Sequence, residues 1–260
     1  MELITNFLLQ VLFSFGIIFL FGFIVYICNK IFYKNFGRLG HKVCLITGFL
    51  GTPIHECSHA LCCLIFGHKI VDMKLFQIDD DEGTLGYVQH SYNSKNIYHQ
   101  IGNFFIGVAP ILVISLLLYF LESLILPEIS SQVYAISNRN IGSVGDFLKN
   151  VLDIVKVLFS DLGNPMWWVF MILGMFFALH MNLSHSDIKG ALKGLLILLI
   201  FLLAIDLVLF IVNKNILFSL TEAFGRLGSC LISVFVVSLT LSLIALLISL
   251  IVRLIFGKHL

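Results

Sequence analysis

Long apolar runs, separated by short polar segments, constrain the fold of this chain more than any other feature of its sequence. A helix that spans a bilayer needs about 20 predominantly apolar residues. Six runs approach or reach that length, at residues 7–28, 43–66, 101–121, 167–183, 195–212 and 223–256. Only 12% of the residues are charged, about half the usual share in soluble domains. The sequence therefore predicts an all-α polytopic membrane protein with about six transmembrane helices, folded as a single membrane domain over residues 1–260.

Two polar segments between these runs are expected to fold without crossing the membrane. Within residues 68–99, the stretch 83–92 combines strand-forming residues with glycine punctuation, which predicts a short, membrane-associated β-hairpin. In residues 143–161, polar side chains recur every three or four positions, which predicts an amphipathic helix. This helix is expected to lie along the membrane surface or, alternatively, to pack as a lid on the helical bundle.

The second apolar run contains the pattern His55-Glu56-Cys57-Ser58-His59. Two histidines four positions apart lie on one face of a helix, so their imidazoles can share one zinc ion. Glu56 is displaced by about 100° around the helix axis, where it can take a proton from a zinc-activated water. Ionisable groups deep in a span cost roughly 2.5–3.5 kcal/mol each, and such groups usually have a function. The pattern predicts one Zn2+ per chain, with Glu56 as the general base.

A catalytic zinc usually has three protein ligands and one open position, so a third ligand must come from elsewhere in the chain. The expected source is the polar interruption at residues 180–191, between the fourth and fifth runs. In it, Asp187 offers a carboxylate, while His180 and His185 offer imidazoles. Asp206, which lies within the fifth run, is expected to be a paired interhelical group instead.

These motifs resemble the zinc helix of the site-2 protease family of intramembrane metalloproteases. The resemblance covers roughly residues 44–195 and is most specific between His55 and His59. In that family a membrane-associated β-segment follows the zinc helix, as residues 70–92 would here, and residues 102–110 loosely match a small-residue motif of the next span. By this resemblance Asp187 is the expected third ligand.

The predicted activity is hydrolysis of peptide bonds inside or at the edge of the membrane. Asn103 and Asn182 are candidate donors to the oxyanion, and residues 87–92 are a candidate for pairing with an extended substrate by strand addition. A simple surface hairpin is the alternative for that stretch. Two other functions share the motif: a transporter of zinc or another divalent metal, and an inactive protease relative that acts as a membrane interaction or immunity protein.

Charge and cysteine content narrow the possible partners and the location. The formal net charge is +1, which provides no basic field for nucleic acid. Most of the six cysteines lie in apolar runs, so no disulfide framework is expected. The expected partners are membrane lipid and a membrane-protein or peptide substrate. The chain is expected to be an integral, multi-pass protein of a bacterial cell membrane.

Overall fold

Helices form most of the structure, a computed structural model that describes residues 2–78, 85–139 and 144–256. Helices α1 (Glu2–Val11) and α2 (Ile17–Asn35) join through a π-helical turn and form one continuous rod. The remaining elements follow in chain order: α3 (Gly40–Ile65), β1 (Lys69–Lys74), β2 (Tyr87–Ser91), α4 (Ile97–Ile125), α5 (Pro127–Ser137), α6 (Val144–Leu158), α7 (Pro165–Ala178), α8 (His185–Val212) and α9 (Lys214–Phe256). The predicted all-α architecture with a small hairpin is confirmed.

Four helical stretches in the described part of the chain are long and apolar enough to cross a bilayer: the α1–α2 rod, α4, α8 and α9. They contain the predicted spans at 7–28, 101–121, 195–212 and 223–256. The span predicted at 43–66 lies in α3, which has 26 residues but is made more polar by the zinc motif. The span predicted at 167–183 is shortened to α7, whose 14 residues reach only about 21 Å.

The hairpin is larger than the stretch 83–92 that suggested it. Its strands β1 and β2 are antiparallel, with Lys69 opposite Ser91 and Lys74 opposite Tyr87. The first strand therefore comes before the acidic residues 79–82 rather than after them, because 83–92 is too short to contain two strands and their turn. That run, Asp79 to Glu82, and the neighbouring Gly83 and Thr84 lie outside the described residues.

The amphipathic helix predicted at 143–161 corresponds to α6, and Ser143 lies outside the described residues. This helix packs on α5 and α9, and its Ile154 and Leu158 are part of the hydrophobic core. Leu148 and Leu152 on the same helix are exposed. The side of α6 that carries Ile154 and Leu158 thus packs against the bundle, which corresponds to the alternative in which this helix packs on the bundle as a lid.

Helix α4 lies at the centre of the bundle and contacts α3, α7, α8 and α9. Close approach to α8 depends on glycine: a Cβ at Gly194 would overlap the backbone of Phe104. Asp206 on α8 is fully buried and accepts a hydrogen bond from Gln10 of α1 at 3.2 Å. The prediction that Asp206 is a paired interhelical group is confirmed.

Candidate metal centre

The two histidines of the motif and Asp187 converge at one point of the structure. His55 and His59 lie one turn apart on α3, and their Nε2 atoms are 3.1 Å apart. Asp187, in the first turn of α8, places Oδ1 at 3.5 Å from His59 Nε2. One potential ligand atom from each of the three residues lies within 4.8 Å of the other two. The structure thus brings together three residues that are separated by up to 132 positions in the chain, as expected for the predicted ligand set.

Backbone carbonyl groups fix the orientation of both rings. His55 Nδ1 donates to the carbonyl oxygen of His180, and His59 Nδ1 donates to that of Ile106, each at 2.7 Å. A carbonyl oxygen can only accept, so the proton of each neutral imidazole is on Nδ1 and its Nε2 has a free lone pair. Metal-binding histidines are usually held by such a second hydrogen bond.

The carbonyl of Ile106 is available because of a proline one turn further along α4. In a regular helix this oxygen would accept from the amide of residue 110, but Pro110 has no N–H. The carbonyl oxygen of Ile106 can therefore accept a hydrogen bond from His59 without giving up a helical one. The carbonyl of His180 is available for a related reason, since this residue follows the end of α7 at Ala178. Both acceptors thus come from places where helical pairing is interrupted.

Asp187 is held in place by helix capping. Ser184 is the N-cap of α8; its Oγ accepts from the amide of Asp187, and Asp187 Oδ2 accepts from the amide of Ser184 at 2.8 Å. This reciprocal pair is a capping box, which satisfies two backbone donors at the start of the helix. One carboxylate oxygen is used in the cap, and Oδ1 is left to face His59.

The local geometry fits a bound divalent metal. Three electron pairs, from His55 Nε2, His59 Nε2 and Asp187 Oδ1, face one another with no donor between them, an arrangement that a cation would stabilise. Zinc binds imidazole nitrogen at 2.0–2.1 Å, so two tetrahedral ligands lie about 3.3 Å apart. The separations of 3.1 and 3.5 Å are close to that value, and two imidazoles with a carboxylate are a usual donor set for zinc.

Glu56 is buried beside this cluster, under the segment that leads into β2 at the loop end of the hairpin. Its side chain is 6% exposed. A Cβ at Gly86 would lie 2.8 Å from Glu56 Cγ and 2.9 Å from Thr52 Cγ2, so the chain passes directly over the carboxylate as it enters β2. The side chain of Leu85 packs in the same way over Gly48. The hairpin thus covers the side of α3 that presents the predicted general base.

The rival third ligands lie elsewhere. His185 is exposed at the start of α8. The ring of His180 packs against Gly48 and Gly51 of α3, where a Cβ at Gly51 would overlap it, and its Nδ1 donates to the carbonyl of Phe176 at 3.1 Å. Among the described residues, neither is part of the three-residue cluster. Asp187 is the candidate that the geometry favours.

The two candidate oxyanion donors differ in their surroundings. Asn182 Oδ1 accepts from Asn29, and Asn182 Nδ2 donates to the carbonyl of Leu179 at 3.4 Å. Its amide therefore holds the loop before α8 against α2. Asn103 is buried on α4, three residues before Ile106. Asn103 does not hold the ligand loop in this way, so it remains the candidate donor to the oxyanion.

A histidine pair at the base of the hairpin was not singled out by sequence reasoning. His68 Nε2 donates to the carbonyl of His99 at 2.8 Å, so His68 Nδ1 accepts from His90 Nδ1 at 3.0 Å. Burial lowers the pKa of His90, and the charges of His68 and His59 add to this effect. The hairpin therefore places the side chain of His90 within electrostatic reach of His59 and of Asp187, whose charge partly offsets the lowering of the His90 pKa. Nothing in the spacing of 68 and 90 shows this proximity, which arises from strand pairing.

Comparisons with known proteins give one match. A family model described as "putative zincin peptidase" matches residues 48–158, which include the histidine motif, Glu56 and Pro110 but end before Asp187. Neither the curated proteins nor the solved structures gave a match. Over that stretch the chain is similar to a family of zinc peptidases, in agreement with a three-residue cluster that could hold a metal ion.

Proposed function

We propose that the chain is an intramembrane zinc metalloendopeptidase of the site-2 protease type, cleaving membrane-protein or peptide substrates. The observation that carries the proposal is the convergence of His55, His59 and Asp187 beside the buried Glu56. The similarity to zinc peptidases over residues 48–158 supports it. We further propose that the protein is integral to a bacterial cell membrane; its placement in a membrane is supported by four helices, in the described part of the chain, that are long and apolar enough to span one.

Each residue of the site has a distinct task in this mechanism. His55, His59 and Asp187 would hold the metal, and the carbonyl groups behind the two rings keep both Nε2 lone pairs directed into the cluster. When bound, zinc supplies a Lewis acid that polarises the scissile carbonyl and makes water acidic near neutral pH. Glu56 accepts the proton of the attacking water and returns it to the leaving amine. Asn103 is the proposed donor to the oxyanion.

Substrate must reach this site as an extended chain, because a helix hides its peptide groups. The hairpin offers an edge for this purpose. In a two-stranded sheet each strand has one unpaired edge, and β2 enters the hairpin at Gly86, directly over Glu56. We propose that an extended substrate segment pairs with β2 along residues 87–91, which gives main-chain hydrogen bonds without requiring a particular sequence.

Substitution of Glu56 by glutamine tests the proposal. Purified protein is reconstituted in vesicles and incubated with a model transmembrane peptide, and its zinc content is measured in parallel. We expect cleavage to fall by about 100-fold or more, since general bases contribute factors of that size, while zinc stays near one per chain. Loss of zinc together with activity would show that Glu56 has another role.

Two further outcomes of the same experiment would overturn the proposal. Zinc flux into the vesicles that survives Glu56→Gln, without peptide cleavage by the wild type, would identify a transporter. Bound zinc with no cleavage of any of a set of transmembrane peptides, and no flux, would identify an inactive relative. A control with Cys57→Ser, an exposed neighbour of Glu56, is expected to keep both zinc and activity.

A further inference from the structure

A cavity lies between α4, α5 and α9 and shares no residue with the candidate metal centre. Its volume is about 570 Å³, within the usual size of a small-molecule pocket. Two arginines line it, Arg139 just after α5 and Arg226 on α9, together with the hydroxyl-bearing residues Tyr119, Tyr134 and Ser229. Two cationic groups and several hydroxyls around one cavity are the composition of a site for an anion.

The charges around the cavity leave one arginine free for a ligand. Arg139 Nη1 is paired with Asp153 Oδ2 at 2.9 Å, so its charge is partly balanced. Arg226 is exposed and has no ion-pair partner among the described residues. Glu122, a buried acid of α4, is not one of the described residues that line the cavity. The balance of charge at the cavity wall is therefore positive.

A buried amide points to a ligand at the same place. Asn150 of α6 is 9% exposed, and its Nδ2 has no hydrogen-bond partner among the described residues. It lines a void of about 10 Å³ that adjoins the cavity, since both share Ser137, Ser229 and Ser233. A void of that size holds about one water-sized group. A buried donor without a partner costs free energy, and an oxygen atom placed there would satisfy it.

We propose that this cavity binds a phosphate group, carried by a lipid headgroup or free in solution. Arg226 provides the unpaired charge in the cavity, and Asn150 provides a donor in the adjoining void. Phosphate suits this arrangement because it accepts hydrogen bonds on several oxygens and binds arginine strongly. A bound anion would join α9 to α5, which form two walls of the cavity, and would lie beside α6 at the adjoining void. The proposal does not depend on the peptidase activity.

The sequence supplies a matched control for Arg226. The five residues Phe36-Gly37-Arg38-Leu39-Gly40 recur as Phe224-Gly225-Arg226-Leu227-Gly228. The first copy forms a turn before α3, whereas the second lies inside α9. Arg38 is exposed and does not line the cavity. Arg38→Gln and Arg226→Gln therefore remove the same charge from the same local sequence, and only the second removes it from the cavity.

Native mass spectrometry on delipidated protein in a neutral detergent tests the proposal. The probes are phosphatidylglycerol, phosphatidylcholine and inorganic phosphate. We expect wild type and Arg38→Gln to retain one phosphatidylglycerol equally well, and Arg226→Gln to bind it about tenfold more weakly or worse, as for loss of a charged hydrogen bond. Asn150→Leu should weaken binding as well, while zinc content stays unchanged in all variants.

The outcomes distinguish the source of the phosphate and can refute the site. Displacement of phosphatidylglycerol by millimolar inorganic phosphate would show that free phosphate is itself a ligand. Retention of the lipid under phosphate, with weaker binding of phosphatidylcholine, would assign the site to an anionic headgroup. Equal binding of all probes to wild type, Arg38→Gln and Arg226→Gln would overturn the proposal.

Discussion

Substitution of Asp187 by asparagine separates the two roles that the structure gives this residue. One carboxylate oxygen caps α8 and the other faces His59. The amide oxygen of asparagine can replace the capping oxygen. Its NH2 group would then face His59 Nε2, where it can donate to the lone pair that the metal would otherwise use. We expect the metal-free fold to be retained and zinc binding to be lost.

The magnitudes follow from the two roles. Loss of an N-cap partner costs about 1 kcal/mol of stability, so Asp187→Ala should lower the free energy of unfolding by about that amount, whereas Asp187→Asn should leave it nearly unchanged. For zinc, removal of an outer hydrogen-bond partner alone costs about 10–100-fold in affinity. Loss of a charged ligand should exceed this, so both variants should bind zinc more than about 100-fold more weakly.

The assay combines zinc titration with a chelator and unfolding of the metal-free protein in detergent. His185→Ala is the matched control, since His185 lies two residues away and is exposed. It should bind zinc as tightly as wild type. If Asp187→Asn retained wild-type affinity while His185→Ala lost it, the ligand assignment drawn from the structure would be refuted.

Three other changes test the surroundings of the site. Pro110→Ala should stabilise α4, because proline is costly inside a helix, yet weaken zinc binding, because the new amide competes for the carbonyl that His59 uses; unchanged affinity on titration would contradict this. Gly107→Ala should lower the free energy of unfolding by about 1–3 kcal/mol and reduce activity, since a Cβ there would lie 2.8 Å from the side chain of Ala191. Gly225 has open space around it, so Gly225→Ala should change neither stability nor activity, and equal effects of the two substitutions would contradict the packing argument. Burial holds the pKa of His90 below the ordinary value of 6.5 for histidine, so the unfolded state gains protons first and hairpin stability should fall as the pH drops below about 6.5. Hydrogen exchange of β2 amides at pH 7.5 and 5.5 checks this, and equal protection at both would refute it.

The chemistry of the zinc helix could be predicted from the sequence because it depends on local spacing. His55 and His59 are four positions apart, and on any helix this spacing places them on the same face. Ser184 and Asp187 also form a local signal, since serine followed three positions later by an acid is the pattern of a helix N-terminus. Local rules of this kind predicted the motif and are sufficient to recognise the cap, but they do not show that the two meet across the fold.

The acceptors behind the two rings could not be predicted in the same way. Pro110 shows from sequence that the carbonyl of Ile106 lacks a helical partner. Which donor fills that place depends on how α3 packs against α4, and this is set by contacts distant in sequence. The first strand of the hairpin was missed for a similar reason. A strand of six residues, Lys69–Lys74, is defined by its pairing partner as much as by its own composition.

Metal content of the purified protein is the most direct test of the whole account. The protein is extracted in mild detergent without chelator, and zinc per chain is determined by elemental analysis for wild type and Glu56→Gln. The account predicts about one zinc in both, since Glu56 lies beside the ligand cluster rather than in it. Absence of zinc from both proteins, with no uptake when zinc is supplied, would contradict it.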